Sequence, residues 1–102
     1  MKAFKFYGVY DVRETEVDIP RVGPEDILVK MGATGICGTD LHVYTDGIWI
    51  QQPPASLVTL GHEFSGEVVE VGPSVKFIQK YPGLDAVIRV GDKVVAEPDL
   101  TC

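Results

Sequence analysis

Two short stretches hold the residues of this chain that are best equipped for chemistry. Residues 35–42 read GICGTDLH and bring Cys37, Thr39, Asp40 and His42 into six positions. Residues 59–66 read TLGHEFSG and add His62 and Glu63. The chain has two cysteines and two histidines in all, so one cysteine and both histidines fall here. A thiolate and an imidazole are ligands that zinc prefers, and a carboxylate is its third common partner. A catalytic zinc site takes about three protein ligands and keeps a further position open for water or substrate. Cys37, His62 and Glu63 supply the three ligand types, but from only two places in the sequence. Both neighbours, His62 and Glu63, can bind one ion only with unusual backbone geometry. A third, independent ligand is therefore expected beyond residue 102.

The other polar residues suit supporting roles. Thr39, two positions after Cys37, could hold a substrate hydroxyl near the metal. His42 could pass its proton on to solvent. Asp40 could accept from the free ring nitrogen of His62 and fix its tautomer. Each residue also has a plain structural role: Cys37 as packing in an apolar run, Thr39 or Asp40 as a helix cap, His62–Glu63 as a surface pair. Composition and spacing alone leave the metal site and these structural roles both open.

The elements that must position these residues are mostly strands. MKAFKFYG ends at Gly8, and VRETEVDIP alternates apolar with charged residues before Pro20. DILVKMGATGI follows the turn-forming VGPED, and SGEVVEVG is closed by GPS. IRVGDKVVAEP reads as a further pair of short strands hinged at Gly91-Asp92. GTDLHVY is the single expected helical turn, with Thr39 or Asp40 capping it. TDGIWIQQPPAS reads as an exposed loop because its adjacent prolines cannot continue a helix or a central strand. Many short strands with Gly and Pro between them predict a mainly β fold, a sandwich or small barrel.

The 102 residues suffice for one domain with a modest core. The net charge is −6 and no stretch gathers Lys or Arg into a stripe, which argues against nucleic acid or an anionic membrane as the main partner. No apolar run approaches the ~18 residues of a membrane span. The N-terminus lacks the apolar region and cleavage site of a signal peptide. Two cysteines make no disulfide framework, a Cys37–Cys102 bridge is not expected, and a reducing cytoplasmic compartment is.

Taken together, the two stretches resemble the zinc-containing medium-chain alcohol dehydrogenases. GHEFSGEVVEVGPSV is similar to their zinc signature, with Gly61, His62, Glu63, Gly66, Gly72 and Val75 at its fixed places. GICGTDLH resembles their catalytic cysteine loop, and the likeness runs from Met1 to Cys102. It implies a GroES-like, partly open β-barrel with short helical turns, filling residues 1–102 as a catalytic domain. It implies that Cys37 and His62 ligate a catalytic Zn²⁺, that Glu63 lies close enough to approach the ion, and that Asp40 bonds His62. Thr39 and His42 would form the proton relay while hydride leaves to NAD or NADP. A small-molecule alcohol or polyol substrate and a homo-oligomeric full-length parent are implied as well. MKAFKFYG, DVRETEV and VVAEP resemble polyol and 2,3-butanediol dehydrogenases, which predicts interconversion of a secondary alcohol and a ketone. Threonine 3-dehydrogenases are a near alternative, since Trp49 and Gln51 match residues of that group.

Two departures qualify the resemblance. KFIQKYPGLDAVIR, residues 76–89, is longer than the family's usual link and reads as a surface insertion turning at Pro82-Gly83. EPDLTC matches only the start of the family's four-cysteine structural zinc lobe, with Cys102 as its first ligand. No GxGxxG is present, so the nucleotide-binding Rossmann domain is expected outside residues 1–102 and the chain alone is expected to be inactive. A stand-alone GroES-like binding module without catalysis is the competing reading, and the zinc-free quinone reductase branch a more distant one.

Overall fold

The computed structural model describes residues 1–47, 58–76 and 87–96. They are organised in two compact units: residues 1–19 with 34–47 and 58–63, and residues 20–33 with 64–76 and 87–96. The described residues are mainly β, in open sheets that do not close on themselves.

In the first unit, β1 (Lys2–Gly8) and β2 (Asp11–Glu16) form an antiparallel hairpin in which Ala3 faces Thr15 and Phe6 faces Val12. In β1 Ala3 and Phe6 are buried while Phe4 and Tyr7 are exposed, and because Ala3 and Phe6 are three positions apart they lie on opposite faces of the strand. Burying Phe6 is worth about 2 kcal/mol against leaving it exposed. The register shifts between Phe6 and Gly8, and the turn brings Tyr10 to φ 60°, where its N–H donates to the Tyr44 carbonyl at 2.8 Å. Residues 58–60 lie along β1: Phe6 N–H donates to Val58 and Leu60 N–H to Phe4, each at 3.0 Å. The expected helical turn is a nine-residue helix, α1 (Gly38–Asp46), with Val43 as its buried side chain. Phe4, Leu41 and Tyr44 line an open apolar hollow of about 420 Å³, so these large side chains do not join the core that the chain length predicts.

In the second unit, β3 (Ile27–Thr34), β4 (Phe64–Val71) and β5 (Lys93–Val95) make a sheet in the order β3-β4-β5. β4 and β5 are antiparallel, with Gly66 opposite Val94 and Glu67 opposite Lys93. Val68 is fully buried. The VGPED turn closes as expected, Gly23 N–H donating to the Asp26 carboxylate at 2.9 Å. The hairpin expected across Gly91-Asp92 is not formed by the described residues; only its second half is a strand. Asp92 explains this, because its carboxylate takes the Arg89 N–H at 2.8 Å and folds residues 89–92 into a tight turn. Gly91 N–H then donates to Val68, and Val68 N–H to Asp92. The loop around Trp49 and Gln51, the Pro82-Gly83 turn and Cys102 lie outside the described residues.

Candidate metal centre

The sequence builds the centre from two chain segments, both within the first unit. The strand-like segment 58–60, fixed along β1, delivers Gly61, His62 and Glu63. Gly61 has φ 100°, a conformation side-chain-bearing residues avoid, and this is where the backbone leaves the strand path before His62. Gly35 N–H donates to the Glu63 carbonyl at 2.7 Å and the Thr34 hydroxyl donates to the same oxygen at 3.1 Å. These two bonds set residues 34–37 beside 61–63. Neither Thr34 nor Gly35 stood out as a positioning residue in the sequence, because the signal is a backbone partner 28 to 29 residues away.

Cys37 is the N-cap of α1, with extended backbone at φ −88° and ψ 159°. Neither Thr39 nor Asp40 takes the N-cap position expected of them. Asp40 instead occupies the third helical position, where its Oδ2 accepts the Cys37 N–H at 3.0 Å and its charge faces the positive end of the helix. Its other oxygen, Oδ1, lies 3.5 Å from His62 Nδ1. One carboxylate, 13% exposed, thus holds the backbone of Cys37 and stands beside the ring of His62. With Nδ1 turned to Asp40, Nε2 is the nitrogen left for a metal.

One ligand atom from each of Cys37, His62 and Glu63 lies within 4.8 Å of the others. Zinc bonded tetrahedrally to sulfur, nitrogen and oxygen sets its ligands roughly 3.3–3.8 Å apart, so a closure of about 1 Å completes the set. The thiol, imidazole and carboxylate therefore suit Zn²⁺, and the sequence neighbours His62 and Glu63 do converge. Thr39 stands beside it, its Oγ1 3.8 Å from Cys37 Sγ. His42 lies one helical turn further on, 65% exposed, with Nδ1 3.5 Å from Asp46 Oδ2. No helix among the described residues is long and apolar enough to cross a membrane.

Residues 23–102 match the alcohol dehydrogenase GroES-like domain. The chain belongs to this family, that of the medium-chain zinc alcohol dehydrogenases. An L-threonine 3-dehydrogenase of Pyrococcus abyssi is 43% identical over 93 residues, 91% of this chain and 24% of that protein. Among solved structures, the alcohol dehydrogenase TADH from Thermus sp. ATN1 superposes with a TM-score of 0.71 and 38% identity, covering 93% of this chain and 24% of that one. A putative zinc-binding dehydrogenase from Sinorhizobium meliloti 1021, bound to NADP, superposes at 0.67 with 41% identity, covering 90% and 23%. The GroES-like chain described here thus spans about a quarter of the length of the relatives it matches.

Proposed function

We propose that this chain is the zinc-binding, catalytic portion of a nicotinamide-linked dehydrogenase of secondary alcohols. The observation that supports it is the convergence of Cys37, His62 and Glu63 within 4.8 Å in a family of dehydrogenases. Cys37, His62 and Glu63 would hold Zn²⁺, and a zinc there supplies Lewis-acid polarisation of the substrate oxygen. Asp40 keeps His62 in the tautomer that presents Nε2. Thr39 holds the substrate hydroxyl and takes up its proton, and His42 carries that proton away from the site. NAD or NADP is bound by polypeptide outside residues 1–102, and Cys102 begins a separate structural zinc lobe.

The substrate is a small alcohol with a polar group next to the reacting carbon. L-Threonine fits this description and is named for the relatives at 43% identity; 2,3-butanediol and sorbitol are the diol and polyol alternatives. The test is nicotinamide reduction by the full-length protein with each of these three alcohols, before and after zinc chelation. Zinc-dependent reduction with at least one of them is expected. Oxidation that persists at full rate without zinc, or no oxidation of any secondary alcohol, would overturn the proposal.

A further inference from the structure

One stripe of α1 leads from the metal-ligand cluster to the far end of the helix. Thr39, His42 and Asp46 follow one another at spacings of three and four residues, so they stack along a single face. The rest of the helix is tied down elsewhere: Val43 is buried, the Tyr44 carbonyl accepts the Tyr10 N–H, and the Tyr44 ring meets Tyr10 edge-on at 5.3 Å. His42 and Asp46 are left facing solvent, 65% and 51% exposed. Asp46 is poorly placed for the helix itself. It occupies the last turn, where the helix dipole disfavours an acid, and no basic residue balances it there. Its partner is His42 Nδ1, at 3.5 Å, and Asp46 is the one charged partner of His42 among the described residues.

We infer that Asp46 is a positioning residue for proton release, orienting His42 and forming the outer end of the path that begins at Thr39. This rests on the proposed role of His42 as proton carrier. With Asp46 at Nδ1, the Nε2 of His42 is the ring nitrogen left to accept a proton. As hydride passes from the substrate carbon to the nicotinamide, the substrate hydroxyl gives its proton to Thr39, and Thr39 gives its own to His42 Nε2. His42 then releases its Nδ1 proton to the Asp46 carboxylate or to water beside it. Exchange with solvent at the exposed ring restores the starting tautomer, so one proton enters and one leaves.

The experiment compares Asp46→Asn, Asp46→Glu and His42→Ala with wild type in the full-length dehydrogenase. Asp46→Asn should lower kcat about three- to tenfold, below the range of a directly acting acid or base. KM and zinc content should stay unchanged, the solvent deuterium isotope effect should grow, and rising MES or HEPES concentration should restore the rate. Asp46→Glu should keep most of the activity. Wild-type kcat and isotope effect in Asp46→Asn, with His42→Ala impaired and rescued by buffer, would overturn the inference and leave the role of His42 standing. A loss in Asp46→Asn that buffer does not rescue would assign Asp46 to the helix end and overturn it also. If His42→Ala itself behaves as wild type, the relay role of His42 fails, and the inference with it.

Discussion

The two units of this molecule are held together by different means. In the first, the decisive contacts are polar and directed at the candidate ligands: Asp40 on the Cys37 N–H and beside the His62 ring, and two donors on the Glu63 carbonyl. In the second, the decisive contact is backbone against backbone. A Cβ at Gly66 would stand 2.3 Å from the Lys30 carbonyl oxygen and 2.7 Å from Val29 Cγ1. The stretch GHEFSG crosses this division. Gly61, His62 and Glu63 belong to the first unit, while Gly66 on β4 belongs to the second. A motif that looks uniform in sequence thus combines the proposed metal ligands with a packing requirement, and substitutions in its two halves should fail in different ways.

The largest effect is expected at Cys37. Cys37→Ala removes the sulfur ligand and should reduce catalytic-site zinc affinity and alcohol oxidation more than about 100-fold, beyond the effect of losing a residue that only supports a ligand. Metal analysis that counts any structural zinc separately, together with steady-state rates, measures it. Folding should survive, because Cys37 caps α1 through its backbone. A variant that keeps its catalytic zinc would remove the first unit's claim to be the metal-binding one.

Gly66→Ala should do the reverse. The new methyl has no room against the Lys30 carbonyl, and the backbone must move, at a cost of about 2–3 kcal/mol. Urea unfolding should show the lost stability, while zinc bound per folded molecule stays near wild type. Equal loss of zinc and stability would mean that Gly66 and the metal centre are not separable.

Asp40→Asn probes the first unit from behind the ligands. Asparagine keeps one acceptor oxygen where two are used, so either the Cys37 N–H or the His62 Nδ1–H loses its partner. Zinc affinity should fall about tenfold, at the lower end for second partners of metal-bound histidines. Isothermal titration of the metal-depleted protein gives the number. An unchanged affinity would show that Asp40 serves the helix cap alone.

These contrasts also show how far the sequence could be read. Strand-forming residues and the Gly, Pro and Asp turns between them make β1 to β4 legible, although burial at Ala3 and Phe6 does not follow a period of two. The residue types at 37, 62 and 63 allow a metal site, but by themselves they fit packing and surface roles as well, and it is the family resemblance of the two stretches that favours the metal. What was not legible depended on long-range backbone pairing. That His62 and Glu63 can face one centre follows from the path of Gly61 and from bonds reaching back to Thr34 and Gly35. The missing strand before Gly91 likewise follows from Asp92 capturing the Arg89 N–H, a local competition that period-two counting does not see. The helix cap was placed two or three residues late because Cys37 is an uncommon cap, while Asp40 serves from the third position instead.

The smallest expected effect concerns charge on the surface of the second unit. Glu67 pairs with Lys93 across β4 and β5, and the hydrogen bond from Lys93, aided by its positive charge, holds the Glu67 carboxyl below its ordinary range. A carboxyl lowered in this way stabilises the fold at pH above its unfolded value, and the contribution disappears as pH falls through the folded one. Lys93→Met should therefore lower the urea midpoint slightly at pH 7, and the gap from wild type should close as the pH is taken below about 4.5. Added salt should narrow it too, since the pair is exposed. A gap that stays constant from neutral to acid pH would mean that the Lys93 stem acts by covering apolar surface, not by charge. The first unit carries a pair of the same kind, Asp11 with Arg13 at 2.7 Å, and Arg13 lowers Asp11 in the same way. Because the exposed pairs behave alike, they cannot be what separates the two units. That separation lies in where each unit spends its close contacts: on orienting ligands around Cys37, or on bringing β3 and β4 together at Gly66.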